Sequence, residues 1–214
     1  MRITKIGHCC LLIETKGLRI LTDPGTYSTK QDEVTGVNVI LITHEHADHL
    51  HIDSLKRVLA KNPEARIVTN NAVASILREE GVGDMIIVEN GEVSAIESIQ
   101  FAGFGDEHAT IYPEWNNVQN TGYLIDNKLF YPGDAFTDPE CPVDVLALPV
   151  AGPWMKISEA VDYAKKLKPR VCFPVHDGML QKDRPGPTYR LPPIILEKDG
   201  IEFVPMFEGD TKEF

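Results

Sequence analysis

The chain has 214 residues, of which 43% are hydrophobic and 25% are charged. This composition is typical of a folded globular protein, excludes collagen-like and disordered classes, and at this length suits one sizeable domain. The formal net charge of −11 disfavours a broad electrostatic surface for nucleic acid or anionic lipid, because such surfaces need clustered lysine and arginine.

Cysteine usage and the apolar runs indicate a cytoplasmic protein. The four cysteines form no CxxC pair, and we expect them to be reduced and mostly buried. The apolar run at residues 9–13 is too short for a secretory core or a membrane span. We therefore predict cytoplasmic localisation and no membrane insertion.

The first half of the chain predicts short strands followed by strand and helix pairs. Alternating apolar residues indicate antiparallel strands over 2–23, and the continuous apolar run 37–42 is typical of a strand buried on both faces. Helical spacing follows at 52–59, then a strand at 67–68 and an amphipathic helix at 72–80. Residues 43–49 therefore lie on a loop between a buried strand and a helix.

The second half predicts a similar mixture of elements. Strands are expected at 99–101, 118–125, 129–131, 143–148 and 171–175, and a helix is expected from Ile157 to Leu167, before Pro169. Hairpins occur beside the alternating strands and helices. The pattern favours an α/β fold with mixed sheets flanked by helices over a purely parallel sheet.

The loop at 43–49 reads THEHADH and contains three of the seven histidines in the chain. Burial of unpaired polar groups costs on the order of 2–7 kcal/mol each, and a bound metal ion removes that cost. Imidazole nitrogen and carboxylate oxygen are ligands that suit Zn²⁺ and similar ions. His44, His46, Asp48 and His49 are therefore candidate metal ligands.

Three further candidate ligands each follow a predicted strand: His108, Asp134 and His176. A histidine in such a place is, by itself, more often a solvated residue. Loops beyond strand ends can converge on one rim, so these side chains are expected to meet the 43–49 loop. Seven ligands exceed the need of one tetrahedral ion and divide into two sets of three with one shared carboxylate, which predicts a two-metal site.

The segment HEHADH matches the HxHxDH signature of the metallo-β-lactamase-fold hydrolases, and the three later ligands stand in that family's order. The GHCCLLIET start, the Asp23-Pro24 pair and the closing PVHDG resemble the compact branch that contains L-ascorbate-6-phosphate lactonase-like and phospholipase-D-like zinc hydrolases. The resemblance extends over about residues 2–177. It implies a four-layer αββα sandwich, with a single domain over 1–214 and two similar halves that divide near residue 105.

The resemblance also implies how the ligands are shared between two divalent ions, with zinc first and manganese or iron as alternatives. It places the first ion on His44, His46 and His108. It places the second ion on Asp48, His49 and His176, with Asp134 as the bridging carboxylate. Asp48 and His8 are the expected catalytic residues, since His8 resembles the family's amino-terminal histidine near the active-site mouth. A hydrogen-bonded structural role is the alternative for His8.

Two sets of residues are candidates for contact with the substrate. Tyr112, Trp115 and Trp154 lie in loops beside the ligand strands and are candidate pocket walls, with packing inside the domain as the alternative. The basic stretch from Lys182 to Arg190 is a candidate anion-binding loop, with a solvated loop as the alternative.

The expected function is hydrolysis of a small ester, lactone or phosphorylated metabolite by water activated at two ions. An anionic substrate would be attracted by the local positive charge of the ions. The alternative is a phosphodiesterase or ribonuclease, although chain length and charge leave little room for an arm that holds nucleic acid. Lactam opening is expected only as a side activity. An iron-dependent sulfur dioxygenase and a non-catalytic metal-binding protein are the rivals from other classes, and oligomerisation is left open.

Overall fold

The computed structural model describes residues 1–115, 117–181 and 183–214. One set of strands comprises β1 (Arg2–Gly7), β2 (Cys10–Thr15), β3 (Leu18–Thr22), β4 (Val39–Leu41), β5 (Arg66–Thr69) and β6 (Met85–Ile87). The other comprises β7 (Val93–Ile96), β8 (Ile99–Phe104), β9 (Gly122–Ile125), β10 (Leu129–Tyr131), β11 (Val145–Pro149), β12 (Val171–Val175) and β13 (Glu202–Phe203). The strand β14 (Thr211–Glu213) joins the first set, and the α-helices are α1 (Ile52–Lys61), α2 (Asn71–Glu79), α3 (Ile157–Leu167) and α4 (Pro187–Leu196).

The two sheets share one strand plan. The first sheet has the order β14-β1-β2-β3-β4-β5-β6, and the second has the order β13-β12-β11-β10-β9-β8-β7. In each sheet four strands pair antiparallel and are followed by three parallel pairings. The helices connect the parallel strands, α1 and α2 in the first sheet and α3 and α4 in the second.

The apolar residues explain the four layers. In β4, Val39 and Leu41 pack between the two sheets, whereas Ile40 packs on the outer face with residues of α1 and α2. In β11, Val145 faces the other sheet and Leu146 packs toward α3. A strand that contacts one layer on each side must be apolar at every position, and each fully buried aliphatic side chain stabilises the fold by roughly 1.5–3 kcal/mol. The predicted αββα sandwich with two mixed sheets is confirmed.

The change from the first sheet to the second falls between Ile87 and Val93. The single domain with halves that divide near residue 105 remains a prediction. The cysteines are free, with Cys9 packed between the sheets and Cys10 packed on the outer face. No helix in the described ranges is long and apolar enough to cross a membrane.

The strand expected over 118–125 begins only at Gly122. Asn120, which lies just before this strand, bonds to a neighbouring loop through its side chain. It accepts a hydrogen bond from the backbone N–H of Asp134 and donates one to the carbonyl of Pro132. Asn120 thus braces the loop that carries Asp134. Side-chain hydrogen bonds of this kind compete with regular strand pairing.

The predicted basic loop contains the start of a helix that the sequence interpretation missed. Arg190 lies in α4, which begins at Pro187 and contains Pro192 and Pro193. Proline at the first helical position loses no hydrogen bond, and burial of Tyr189, among other residues, outweighs the poor helix propensity of the later prolines. Lys182 lies outside the described residues. Arg184 and its neighbour Asp183 form an ion pair whose side chains are 79% and 73% exposed.

Candidate metal centre

The loops that follow β4, β8, β10 and β12 bring the predicted ligands into one cluster. The first set comprises His44, His46 and His108, whose ligand nitrogen atoms lie within 4.8 Å of one another. Their ring centroids are 4.9 Å apart for His44 and His46, 5.1 Å for His44 and His108, and 4.6 Å for His46 and His108. His44 and His108 are buried, whereas His46 is half-buried.

The second set comprises Asp48, His49 and His176, which offer ligand atoms within 4.8 Å of one another together with His8. Asp134 lies between the two sets. Its Oδ1 atom is 3.1 Å from Nε2 of His49, and its Oδ2 atom is 2.7 Å from Nε2 of His176 and 3.3 Å from Nε2 of His108. A carboxylate in this position can contact ions on both sides.

Hydrogen bonds orient three of the imidazole rings through their Nδ1 atoms. Nδ1 of His49 is 2.7 Å from Oδ2 of Asp23, Nδ1 of His108 is 2.5 Å from its neighbour's carbonyl oxygen, and Nδ1 of His176 is 2.6 Å from that of Ala151. These oxygen atoms only accept, so Nδ1 of each ring donates its proton, and in the neutral ring Nε2 carries the lone pair.

His44 has the same tautomer for a less direct reason. The hydroxyl of Thr43 donates its proton to Asp23, so Nδ1 of His44 must donate to the Thr43 oxygen, which lies 3.0 Å away. Among the described residues, the buried Nε2 atoms without a hydrogen-bond partner are those of His44, His49, His108 and His176.

Four buried Nε2 atoms that converge on one carboxylate need protons or metal ions between them and the carboxylate, because lone pairs that face one another are costly when buried. Imidazole Nε2 and aspartate oxygen suit Zn²⁺ and other borderline divalent ions, and an Nδ1 hydrogen bond to oxygen is the usual support of such a ligand. The residues present therefore fit divalent metal ions.

The electrostatics of the cluster are those of a site for cations. Burial lowers the pKa of His44 well below its usual value and also lowers the pKa of His46, so both rings are neutral and able to donate lone pairs. Burial alone would also lower the pKa of His49, but the carboxylate of Asp134 outweighs it and raises that pKa well above its usual value, so without a metal ion a proton takes the place on Nε2. Burial alone would raise the pKa of Asp134, but the neighbouring His49 and His176 outweigh it and hold the pKa well below its usual value. The carboxylate is therefore ionised.

Asp23 is a site residue whose role the sequence interpretation missed. Its side chain is fully buried and accepts hydrogen bonds from the backbone N–H and hydroxyl of Thr43, from Nδ1 of His49 and from the hydroxyl of Tyr131. Burial raises the pKa of Tyr131, which keeps its phenol protonated as a donor. The signal in the sequence was a carboxylate that follows the end of a strand, as Asp134 follows β10.

We expect Asp23→Ala to lower the free energy of unfolding of the metal-free protein by about 3–5 kcal/mol, because several buried donors lose their acceptor. Urea unfolding at constant pH measures this change. The matched control is Asp199→Ala, whose exposed pair with Lys165 should contribute about 1 kcal/mol or less. Equal losses in the two variants would contradict the role given to Asp23.

Of the three candidate aromatic wall residues, Trp154 is at the site. Its Nε1–H donates to Oδ2 of Asp134 over 2.9 Å, so it positions that carboxylate as well as lining the cleft. Tyr112 and Trp115 are 61% and 67% exposed and are not among the residues that line the cleft.

The cluster opens to solvent through a cleft of about 220 Å³. Asp48, His46 and His108 line its polar side, and Tyr27, Ile111 and Met179 contribute apolar walls. The backbone of Asp48 is approached closely by Gly25, since a Cβ atom on Gly25 would lie 1.8 Å from the carbonyl oxygen of Asp48. Only glycine fits at this position.

Two similar mixed sheets between helices, with a histidine and aspartate cluster in the strand-end loops, define the class of metallo-β-lactamase folds. A family model described as the beta-lactamase superfamily domain matches residues 2–176. The chain belongs to the β-lactamase superfamily, and the resemblance inferred from residues 44–49 and the later ligands is confirmed.

Individual relatives agree with this assignment. The chain is 38% identical over 194 residues to Protein Rv0786c of Mycobacterium tuberculosis, and the aligned region covers 88% of this chain and 90% of the relative. It is 29% identical over 201 residues to a UPF0173 metal-dependent hydrolase of Thermoplasma acidophilum, with 87% and 88% covered. The structure of Igni18, a metallo hydrolase from Ignicoccus hospitalis, shares the fold with a TM-score of 0.77, 22% identity, and coverage of 100% of this chain and 98% of that chain.

Proposed function

We propose that the protein is a metal-dependent hydrolase that binds two divalent ions, zinc in the first place. The observation that carries the proposal is the set of four buried Nε2 atoms without partners, which surround the ionised Asp134. The proposed ligands of one ion are His44, His46 and His108, those of the other are Asp48, His49 and His176, and Asp134 bridges. The name of the UPF0173 relative as a metal-dependent hydrolase supports the same reading.

Divalent ions in this cluster would supply hydroxide at neutral pH and polarise the bond to be cleaved. The chain's own residues orient that chemistry. Three acceptors bind the Nδ1 protons of His49, His176 and His108, and so turn the Nε2 atom of each ring toward the cluster. They are, in that order, the carboxylate of Asp23 and the carbonyl oxygens of Ala151 and Ala109. Trp154 holds Asp134, and Asp48 presents a partly exposed carboxylate to the cleft.

We propose a small ester, lactone or phosphorylated metabolite as substrate. The cleft volume of about 220 Å³ suits a small molecule, and its mixture of polar and apolar walls suits an anionic head on an apolar group. Two divalent ions against two carboxylates leave positive charge to attract an anion. A phosphodiesterase or ribonuclease is the second candidate, and the net charge of −11 weighs against it.

A substrate panel on zinc-loaded protein tests the proposal. Lactones, carboxylic esters, small phosphodiesters, RNA and a chromogenic lactam are compared, with the Asp134→Ala variant as the blank. We expect metal-dependent turnover of a lactone or ester, whereas turnover of RNA alone would favour the second candidate. One iron per chain with sulfur oxidation, in place of two zinc or manganese ions, would overturn the hydrolase proposal.

Metal removal should also change stability, because an ion that binds only the folded state stabilises it by mass action. At a free zinc concentration about 1,000 times Kd this amounts to about 4 kcal/mol. For a chain of this size we expect the Tm of the loaded protein to exceed that of chelator-treated protein by roughly 8–16 °C. Re-addition of zinc should restore the Tm, and re-addition of calcium should not, because calcium prefers cages of oxygen ligands.

A further inference from the structure

A buried ion pair outside the predicted ligand set lies next to His176. Lys5, in β1, is 1% exposed, and its ammonium group donates to Oδ2 of Asp177 over 2.7 Å and to the carbonyl oxygens of Pro174 and Met206 over 2.8 and 3.2 Å. The hydroxyl of Tyr189 also donates to Oδ2 of Asp177. A buried charge pair with its donors satisfied holds two segments in one geometry, and neither the fold nor the proposed ligands account for it.

The pair restrains the turn that follows β12. Asp177 is followed by Gly178, whose backbone N–H donates to Nδ1 of His8 over 2.9 Å. A Cβ atom on Gly178 would lie 2.9 Å from Cβ of His8, so the backbone and the ring are in close contact. The restraint on Asp177 therefore reaches the His8 ring through one residue of backbone.

The bond from Gly178 decides the tautomer of His8. Because Nδ1 accepts a proton, a neutral His8 ring must carry its own proton on Nε2. This is the reverse of His49, His108 and His176, which carry the proton on Nδ1 and leave Nε2 free. Nε2 of His8 lies 3.3 Å from Oδ2 of Asp48, so its N–H points at that carboxylate.

We propose that Lys5 and Asp177 are positioning residues that, through Gly178, hold His8 as an Nε2–H donor to Asp48 and thereby exclude His8 from the metal ligands. This inference rests on the proposed function for its catalytic consequence. His8 shares a cluster with Asp48, His49 and His176, so its position alone does not distinguish it from the proposed metal ligands. The hydrogen bond from Gly178 distinguishes it, because it leaves the proton of a neutral His8 ring on Nε2.

The first test measures the tautomers directly. Two-bond ¹H–¹⁵N correlation spectra of ¹⁵N-histidine-labelled, zinc-loaded protein distinguish a protonated ring nitrogen from an unprotonated one. We expect His8 to be protonated on Nε2 with an unprotonated Nδ1, while His49, His108 and His176 are protonated on Nδ1. A His8 ring protonated on Nδ1 in the wild-type protein would overturn the proposal without any variant.

The second test removes the restraint and counts the metal. In Asp177→Asn we expect the His8 signals to shift toward a mixture of tautomers and kcat to fall about 10–100-fold with little change in KM. Asp199→Asn, which neutralises an exposed carboxylate paired with Lys165, is the matched control and should leave both unchanged. Unchanged His8 signals in Asp177→Asn would contradict the positioning role.

The third test concerns His8 itself. His8→Ala should retain two zinc ions per chain, and His8→Gln, which keeps an N–H donor at a similar reach, should recover part of the lost kcat. Loss of one ion in His8→Ala would show that His8 is a ligand and overturn the proposal. These outcomes differ from failure of the proposed function, because the tautomer spectra require no substrate and the zinc count of the wild-type protein is measured separately.

Discussion

Asp134→Ala is expected to abolish hydrolysis and to lower the metal content of the protein. Its two carboxylate oxygens face different histidines, with Oδ1 near His49 and Oδ2 near His108 and His176, so its loss removes the bridging ligand and leaves repulsion between the two sets uncompensated. We expect kcat/KM to fall by about 10³-fold or more, since the ions would no longer be held in the geometry that activates water. Steady-state kinetics and elemental analysis measure the two effects.

Asp138→Ala is the matched control for that substitution. Asp138 is an aspartate four residues along the same loop, and its partly exposed carboxylate pairs with Lys166 at the surface. We expect wild-type metal content and activity in this variant. Two ions per chain and full activity in Asp134→Ala would contradict the proposal that Asp134 bridges two ions.

His49→Ala is the second substitution with a large expected effect. His49 is fully buried, its Nε2 atom faces Asp134, and its Nδ1 atom is held by Asp23. The substitution should remove a proposed ligand and leave the buried Asp23 carboxylate without one of its donors. We expect loss of at least one ion per chain, a fall in activity of about 10³-fold or more, and a lower free energy of unfolding.

His51 provides the comparison within the same segment. It is the N-cap residue of α1, its side chain makes no capping hydrogen bond, and it lies outside the three groups of clustered ligand atoms. His51→Ala should therefore retain metal and activity. Similar kinetic losses in the two variants would indicate general damage to the loop and count against a specific role for His49.

Much of this site could be predicted because its ligands lie at places that the sequence marks. The run from Val39 to Ile42 is apolar at every position because it contacts both other layers, and a polar cluster directly after such a strand must lie at the end of the sheet. The same logic placed His108, Asp134 and His176 after strands. The structure brings all of them together, while their binding of metal remains a prediction.

The hydrogen bonds and the helix that were missed depend on long-range geometry. Asp23 and Trp154 act on ligands that are 26 and 20 residues away in the chain, through hydrogen bonds that only the folded sandwich creates. The tautomer of His8 depends on Gly178, which is 170 residues away. The helix that begins at Pro187 was missed because its packing against the second sheet outweighs a sequence with unfavourable local propensity.

The shared strand plan of the two sheets places Asp23 and Asp134 at corresponding positions, since one follows β3 and the other follows β10. The two carboxylates contact opposite ends of one imidazole, Asp23 at Nδ1 of His49 and Asp134 at Nε2. A single ring thus ties the two sheets together at the point where the ions are proposed to bind. Any sliding of one sheet over the other would pull His49 from one of its partners, so the mechanical integrity of the sandwich and the readiness of the site are coupled through one side chain.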